Sequence, residues 1–149
     1  MSSILNYHLA LMCSFEFISH TADVRLKVSG ESLPKLFNAA LEGMNELLKP
    51  GFCNQRARLD VEHEVEISAP DTTVLLIDFL SEALTLSNIH RVIHCDLVIR
   101  KMCDHELSGL LRGRKTEDFS NDVKAVTYHE ADVCLNEFGN FESVIIFDI

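Results

Sequence analysis

At 149 residues and 16.8 kDa the chain has the length of one domain with a real core, and its 47% hydrophobic content excludes general disorder. Thirteen Lys and Arg stand against 23 Asp and Glu, giving a net charge of −10 and a pI near 5.0. Such a surface repels a phosphate backbone, so autonomous nucleic-acid binding is not expected; a cation or a basic protein is the better electrostatic partner.

Five cysteines (Cys13, Cys53, Cys95, Cys103, Cys134) are odd in number and contain no C-x-x-C pair. They read as reduced thiols of a cytoplasmic protein, not as a disulfide framework or a zinc knuckle. No stretch approaches the roughly 20 apolar residues that a membrane span needs, so no membrane partner is expected. The mildly apolar Ile4–Met12 lacks the basic start and cleavage site of a signal peptide.

Met1–Ser14 has no usable period and is expected to be an extension, with Met12 an alternative start and the domain covering 15–149. Phe15-Glu16-Phe17-Ile18 reads as a short strand. After Ser19-His20-Thr21-Ala22-Asp23, Val24, Leu26 and Val28 alternate with Arg25, Lys27 and Ser29, the mark of a half-buried strand. Ser32 caps a helix with Pro34 in its first turn. Leu33, Leu36, Phe37, Ala40, Leu41, Met44, Leu47 and Leu48 give it one apolar stripe, and Lys49-Pro50-Gly51 stops it.

From Leu59 to Ser68 apolar residues alternate with Asp60, Glu62, Glu64 and Glu66, predicting an antiparallel strand with one wet face. Like charges spaced along a strand are ordinarily a solvated face and not a metal site. Asp71 caps a second helix that is apolar nearly all round from Val74 to Leu86. Asp78, Ser81, Glu82 and Thr85 form its narrow polar stripe, for which solvent is the simpler destination. Strands are expected over 90–100 and 106–114. His90, His94 and Cys95 invite a zinc reading, but on a strand His94 and Cys95 face opposite sides and the set dissolves. Arg112, Arg114 and Lys115, with Lys124, form a basic cluster that is a modest candidate for phosphate contact.

Lys124 begins a strand expected to run to about Leu135, and the turn Glu137-Phe138-Gly139-Asn140 returns it as a hairpin into the closing strand. That last run, Ser143-Val144-Ile145-Ile146-Phe147-Asp148-Ile149, is a buried strand reaching the terminus. It sets the Asp148 side chain beside the main-chain carboxylate of Ile149, two anions that solvent, a cation or donor groups must compensate. The element pattern predicts an α+β fold with two layers: two helices on one face of a largely antiparallel sheet.

Three stretches together resemble the archease family: Phe17-Ile18-Ser19-His20-Thr21-Ala22-Asp23-Val24, Val123-Lys124-Ala125-Val126-Thr127-Tyr128-His129, and Phe147-Asp148-Ile149. The resemblance covers roughly 15–149. It implies duplicated strand–helix–strand–strand modules. It also implies a protein cofactor of the GTP-dependent RNA ligase RtcB, one that promotes guanylylation and turnover in tRNA splicing and RNA repair without being an enzyme itself. By matching position it implies a divalent metal, calcium first and manganese next, on Asp23, the Asp148 side chain and the terminal carboxylate of Ile149. Oxygen ligands of this kind suit a hard cation. His20, Lys124 and His129 sit in the same motifs, where they orient ligands, touch a phosphate or partner, or serve only as hydrogen-bonded structural residues. Most relatives carry Gly soon after the first motif; here Arg25-Leu26-Lys27 adds positive charge near the site.

Two other functions compete. A small metal-dependent hydrolase would use Asp23, Asp148 and His129, although the chain has no Gly-rich phosphate loop and no evident nucleophile with its base. A chaperone-like interaction module is the other. A first prediction concerns the extension: deleting Met1–Met12 should leave the melting temperature nearly unchanged, since these residues offer no periodic face to bury. A loss of several degrees in a thermal melt would mean that the segment packs.

Overall fold

The computed structural model describes residues 13–19 and 23–149. The extension up to Met12 and the His20-Thr21-Ala22 part of the first motif lie outside the described residues. Strand β1 (Cys13–Ser19) starts two residues ahead of the expected boundary and pairs antiparallel with β2 (Asp23–Gly30). In β2 the period-two pattern holds: Leu26 and Val28 are fully buried while Lys27 is exposed.

Helix α1 (Leu33–Leu48) begins where the Ser32 hydroxyl accepts the Lys35 N–H at 3.4 Å, and it buries Leu36, Phe37, Ala40, Leu41, Met44 and Leu48. Gly43 lets it lie directly on β2, because a Cβ there would stand 2.5 Å from a Leu26 methyl. A single 3-10 turn (Phe52–Asn54) follows, then β3 (Val61–Ser68). Helix α2 (Thr72–His90) starts with the Val74 N–H on the Asp71 carboxylate at 2.9 Å.

Helix α2 comes closer to a membrane span than its sequence suggested. It is 19 residues long, and an 18-residue window has mean hydropathy 1.3. Here that apolar surface serves as core: Leu75, Leu76, Ile77, Phe79, Leu80, Ala83 and Leu84 are buried against strands of both sheets.

The strands fall into two sheets, with every pairing antiparallel, within the expected α+β class. The larger has the order β1-β2-β8-β6, where β6 is Ala125–Thr127, β8 is Phe141–Asp148, and the short β7 (Cys134–Leu135) also pairs with β8. The smaller has the order β3-β5-β4, where β4 is Val92–Cys103 and β5 is Glu106–Lys115. The expected strand over 124–135 is thus broken in two. Between its halves Glu130 adopts φ 61°, a left-handed conformation no strand can hold.

The cysteine expectation needs correcting, because Cys53 and Cys95 are joined in a disulfide with Cα atoms 5.4 Å apart. Their 42-residue separation hid this from any spacing rule. Cys95 lies where the β4–β5 register shifts between His94 and Asp96, and the backbones there approach so closely that a Cβ on Gly113 would stand 2.1 Å from the Ile93 carbonyl.

The zinc reading of His90, His94 and Cys95 does not hold, because Cys95 is bonded to Cys53 and His90 belongs to α2, not to the strand. His94 is fully buried, its Nε2 2.8 Å from His63 Nδ1 and its Nδ1 3.5 Å from the Ser87 hydroxyl. His90 ends α2 and stacks on His63 at 4.4 Å. Burial, reinforced by the neighbouring His63 and His90, pushes the His94 pKa down to about 4.

That depression has a sign. The unfolded chain takes up a proton near pH 6.5 that the folded chain refuses until about pH 4, so the contribution is complete above 6.5 and is lost as the pH falls toward 4. It amounts to about 3 kcal/mol. Urea midpoints should therefore drop across this window, and the drop should shrink in His94→Gln. An equal drop in both proteins would remove His94 as the cause.

Candidate metal site at the end of the central strands

In the larger sheet β8 lies between β2 and β6. Its register sets Val24 opposite Phe147 and Leu26 opposite Ile145, all on the face packed against the core. The alternate rungs, Asp23 with Asp148 and Arg25 with Ile146, belong to the other face. On the far side Ala125 stands opposite Asp148. Asp23, Asp148 and Ala125 therefore form one row across three strands. The two carboxylates spring from Cβ atoms about 5 Å apart, and the third member is too small to crowd them.

The end of β8 is held by the main chain, where the Lys124 N–H donates to the Asp148 carbonyl at 2.7 Å. The Lys124 side chain is exposed and makes no ion pair among the described residues. Ile149 is 41% exposed, and its terminal carboxylate follows directly on Asp148. One oxygen of Asp23, Oδ1, is buried without a hydrogen-bond partner among the described residues. A buried, unpartnered carboxylate oxygen beside a second carboxylate is unfavourable by itself and fits a cation.

The donors are all oxygens, which suits a hard divalent ion and not the nitrogen and sulfur sets typical of zinc. Among the described residues no three His, Cys, Asp or Glu side chains converge as a metal cluster. The row itself contributes two carboxylate side chains, those of Asp23 and Asp148.

The positive charge expected from Arg25 is already engaged. Its guanidinium forks onto Glu130 at 2.7 and 2.5 Å, and this contact raises its pKa further. Glu130 can reach it because the left-handed turn at that residue leaves the strand direction after β6. His129 is exposed, with Nε2 3.9 Å from the same Glu130 carboxylate, so it stands one ion pair away from the row. His20 lies outside the described residues.

Two members of the basic cluster are engaged within the protein, while Lys115 and Lys124 are exposed. Arg112 reaches Glu62 at 3.3 Å, and Arg114 donates to the Phe52 carbonyl at 2.5 Å while lying 3.7 Å over the Phe52 ring. Sequence reasoning missed Glu130 and Ala125. Both sit within or just after the second motif, but only the strand register and the turn reveal what they face.

The molecule is therefore an α+β protein of two antiparallel sheets and two helices, with opposed acidic residues at the end of its C-terminal strand. The archease protein family (MTH1598/TM1083) matches residues 15–149, and the chain belongs to the archease family. It is 28% identical over 144 residues to protein archease of Methanosarcina mazei, covering 91% of this chain and 95% of the other. The corresponding protein of Pyrococcus furiosus is 26% identical over 145 residues, with 93% and 100% covered.

Among solved structures, the solution structure of protein 1598 from Methanobacterium thermoautotrophicum superposes with a TM-score of 0.73 at 27% identity, covering 91% of this chain and 98% of that one. A crystal structure from Thermotoga maritima, described as an archease and possible chaperone, shares the fold with a TM-score of 0.61 at 24% identity, covering 89% and 94%.

The opposed carboxylates make a prediction for the metal-free protein. Asp23→Asn keeps the shape and removes one of two like charges, together with a weaker attraction to Arg25, so with chelator present it should raise stability by at most about 1 kcal/mol. A thermal melt showing a clear loss would mean that the Asp23 carboxylate already has a compensating partner.

Proposed function

We propose that this chain is a metal-binding protein cofactor of a GTP-dependent RNA ligase of the RtcB type, promoting ligase guanylylation and turnover in tRNA splicing and RNA repair. The observation that carries the reading is the row in which Asp23 and Asp148 stand directly opposite one another at the end of β8, in a chain of the archease family. Asp23, Asp148 and the terminal carboxylate of Ile149 would hold the ion, calcium before manganese. When bound, the ion would add positive charge beside the two carboxylates, and so a point of contact for a phosphate or a partner carboxylate.

The chain's own residues prepare the place. The Lys124 N–H fixes the end of β8. Glu130 draws Arg25 aside, so its charge is balanced beside the row. By their places in the two motifs, His20, Lys124 and His129 would serve as groups for a phosphate or for the ligase. The reading is of a cytoplasmic activator and not an enzyme. With a net charge of −10 the isolated protein should not hold tRNA at physiological salt, so the ligase and not the RNA is its direct partner.

The test is calorimetric metal affinity together with guanylylation of the purified ligase read on a gel. Asp23→Ala and Asp148→Ala should each abolish both signals while the protein stays folded. A short tag after Ile149 should be nearly as damaging, since it exchanges a full negative charge for a neutral carbonyl and such sites depend on ligand charge. A C-terminally tagged protein with normal affinity and stimulation would remove Ile149 from the site. Unchanged stimulation by both aspartate variants would remove the site from the function.

A further inference from the structure

Beyond the carboxylate row, the smaller sheet carries a second built feature. In the order β3-β5-β4, strand β3 has no strand partner on its outer side among the described residues. An unpaired edge presents a row of backbone N–H and C=O groups and is a ready template for another strand. Beside it runs a groove of about 400 Å³ lined by Glu66, Ile67 and Ser68 of β3 and by Asp78, Ser81, Glu82 and Thr85 of α2. The α2 residues are the polar stripe of an otherwise apolar helix. Glu82 and Thr85 of that stripe are exposed, as expected, and the stripe also forms the other wall of the groove beside β3.

The charges here are not balanced as they are elsewhere on the same sheet. Glu62 is paired with Arg112 and Glu64 with Arg100. Among the described residues Glu66 and Glu82 make no ion pair, and Asp78 has only the Tyr128 hydroxyl. A second copy of the chain is a poor occupant, because pairing two β3 strands would set glutamates against glutamates between molecules of net charge −10.

We propose that the outer edge of β3 is a docking site for an extended basic segment of another protein, which adds a strand to the sheet with its Lys or Arg side chains on Glu66, Asp78 and Glu82. Main-chain hydrogen bonds to β3 supply the register and the carboxylates choose the sequence. Alternation sets every second side chain of the added strand over the α2 stripe and the others beside the glutamates of β3. Two of the three carboxylates, Asp78 and Glu82, belong to α2, so a strand with a basic residue at every second position sets those residues over the stripe and thereby fixes which of its edges faces β3. The site is separate from Asp23 and Asp148 and does not depend on the ligase reading.

The experiment titrates isotope-labelled protein with a capped peptide alternating arginine and threonine, followed by amide chemical shifts. Two further peptides carry N-methyl groups on one or the other set of alternate amides. Shifts should centre on residues 61–68 and 78–85, and Glu66→Lys with Glu82→Lys should weaken binding at least tenfold. One N-methyl set should lose binding at least tenfold while the other binds normally, since only one side of an added strand faces β3. Asp148→Ala should bind like the wild type. Shifts centred elsewhere, or equal binding by both N-methyl peptides, would overturn the proposal. So would a concentration-dependent dimer formed through β3 without peptide. The N-methyl comparison uses unaltered protein and therefore stands even if the charge-reversal variant fails to fold.

Discussion

The β2–β8 register is the constraint on which the rest of the molecule depends. Side chains alternate between faces along a strand, so a slip of one residue would carry Asp23 and Asp148 onto the core face and expel Leu26 and Ile145 to the other. Two carboxylates opposed across a strand pair cost roughly 0.2–1 kcal/mol, whereas each large apolar side chain buried on the opposite face contributes roughly 1.5–3 kcal/mol. Leu26, Val28, Ile145 and Phe147 are all on that face and all but removed from solvent. The apolar side decides the register, and the acidic row follows at a fraction of the stability that the core supplies.

The same logic explains why α1 is part of the site without touching it. Its glycine lies on Leu26, so the helix clamps β2 at a fixed height while the N–H of Lys124 ties the last rung of β8 to the segment entering β6. Three strands from distant parts of the chain are thereby brought level at one end of the sheet. A large side chain at Gly43 would act on the carboxylates through β2, by displacing the strand that carries Asp23.

Legibility from sequence tracks how local the determinant is. Helix α1 is readable to within a residue because cap, stripe and stop all lie inside it. β3 is readable because its alternation is uninterrupted. The pair Asp23 and Asp148 could be named through motif resemblance, but their being opposed across two strands separated by more than a hundred residues is a property of pairing. The break between β6 and β7 was hidden for the opposite reason. Tyr128 to Val133 has no Gly or Pro to mark a break, yet tertiary bonds claim it: the Tyr128 hydroxyl goes to Asp78, and the Val133 N–H goes to the Thr73 hydroxyl at 2.9 Å. The Cys53–Cys95 bond and the packing of His63 on His94 are likewise contacts between elements, invisible to any local period.

The excess negative charge gains meaning from where it is left uncompensated. On the wet face of the smaller sheet the glutamates that composition alone would call a solvated ladder are largely paired with arginines, and Glu130 is spent on Arg25. Asp23 and Asp148 in the row, and Glu66, Asp78 and Glu82 along the groove, are among the carboxylates that make no ion pair among the described residues, and in these two places they stand close together. Compensated charges contribute little and are screened in salt, whereas neighbouring uncompensated ones raise the local potential and favour whatever cation arrives. The two places differ in what they offer beyond charge. The row presents a buried, unpartnered oxygen, which suits a small ion. The groove presents the backbone edge of a strand, which suits a polypeptide.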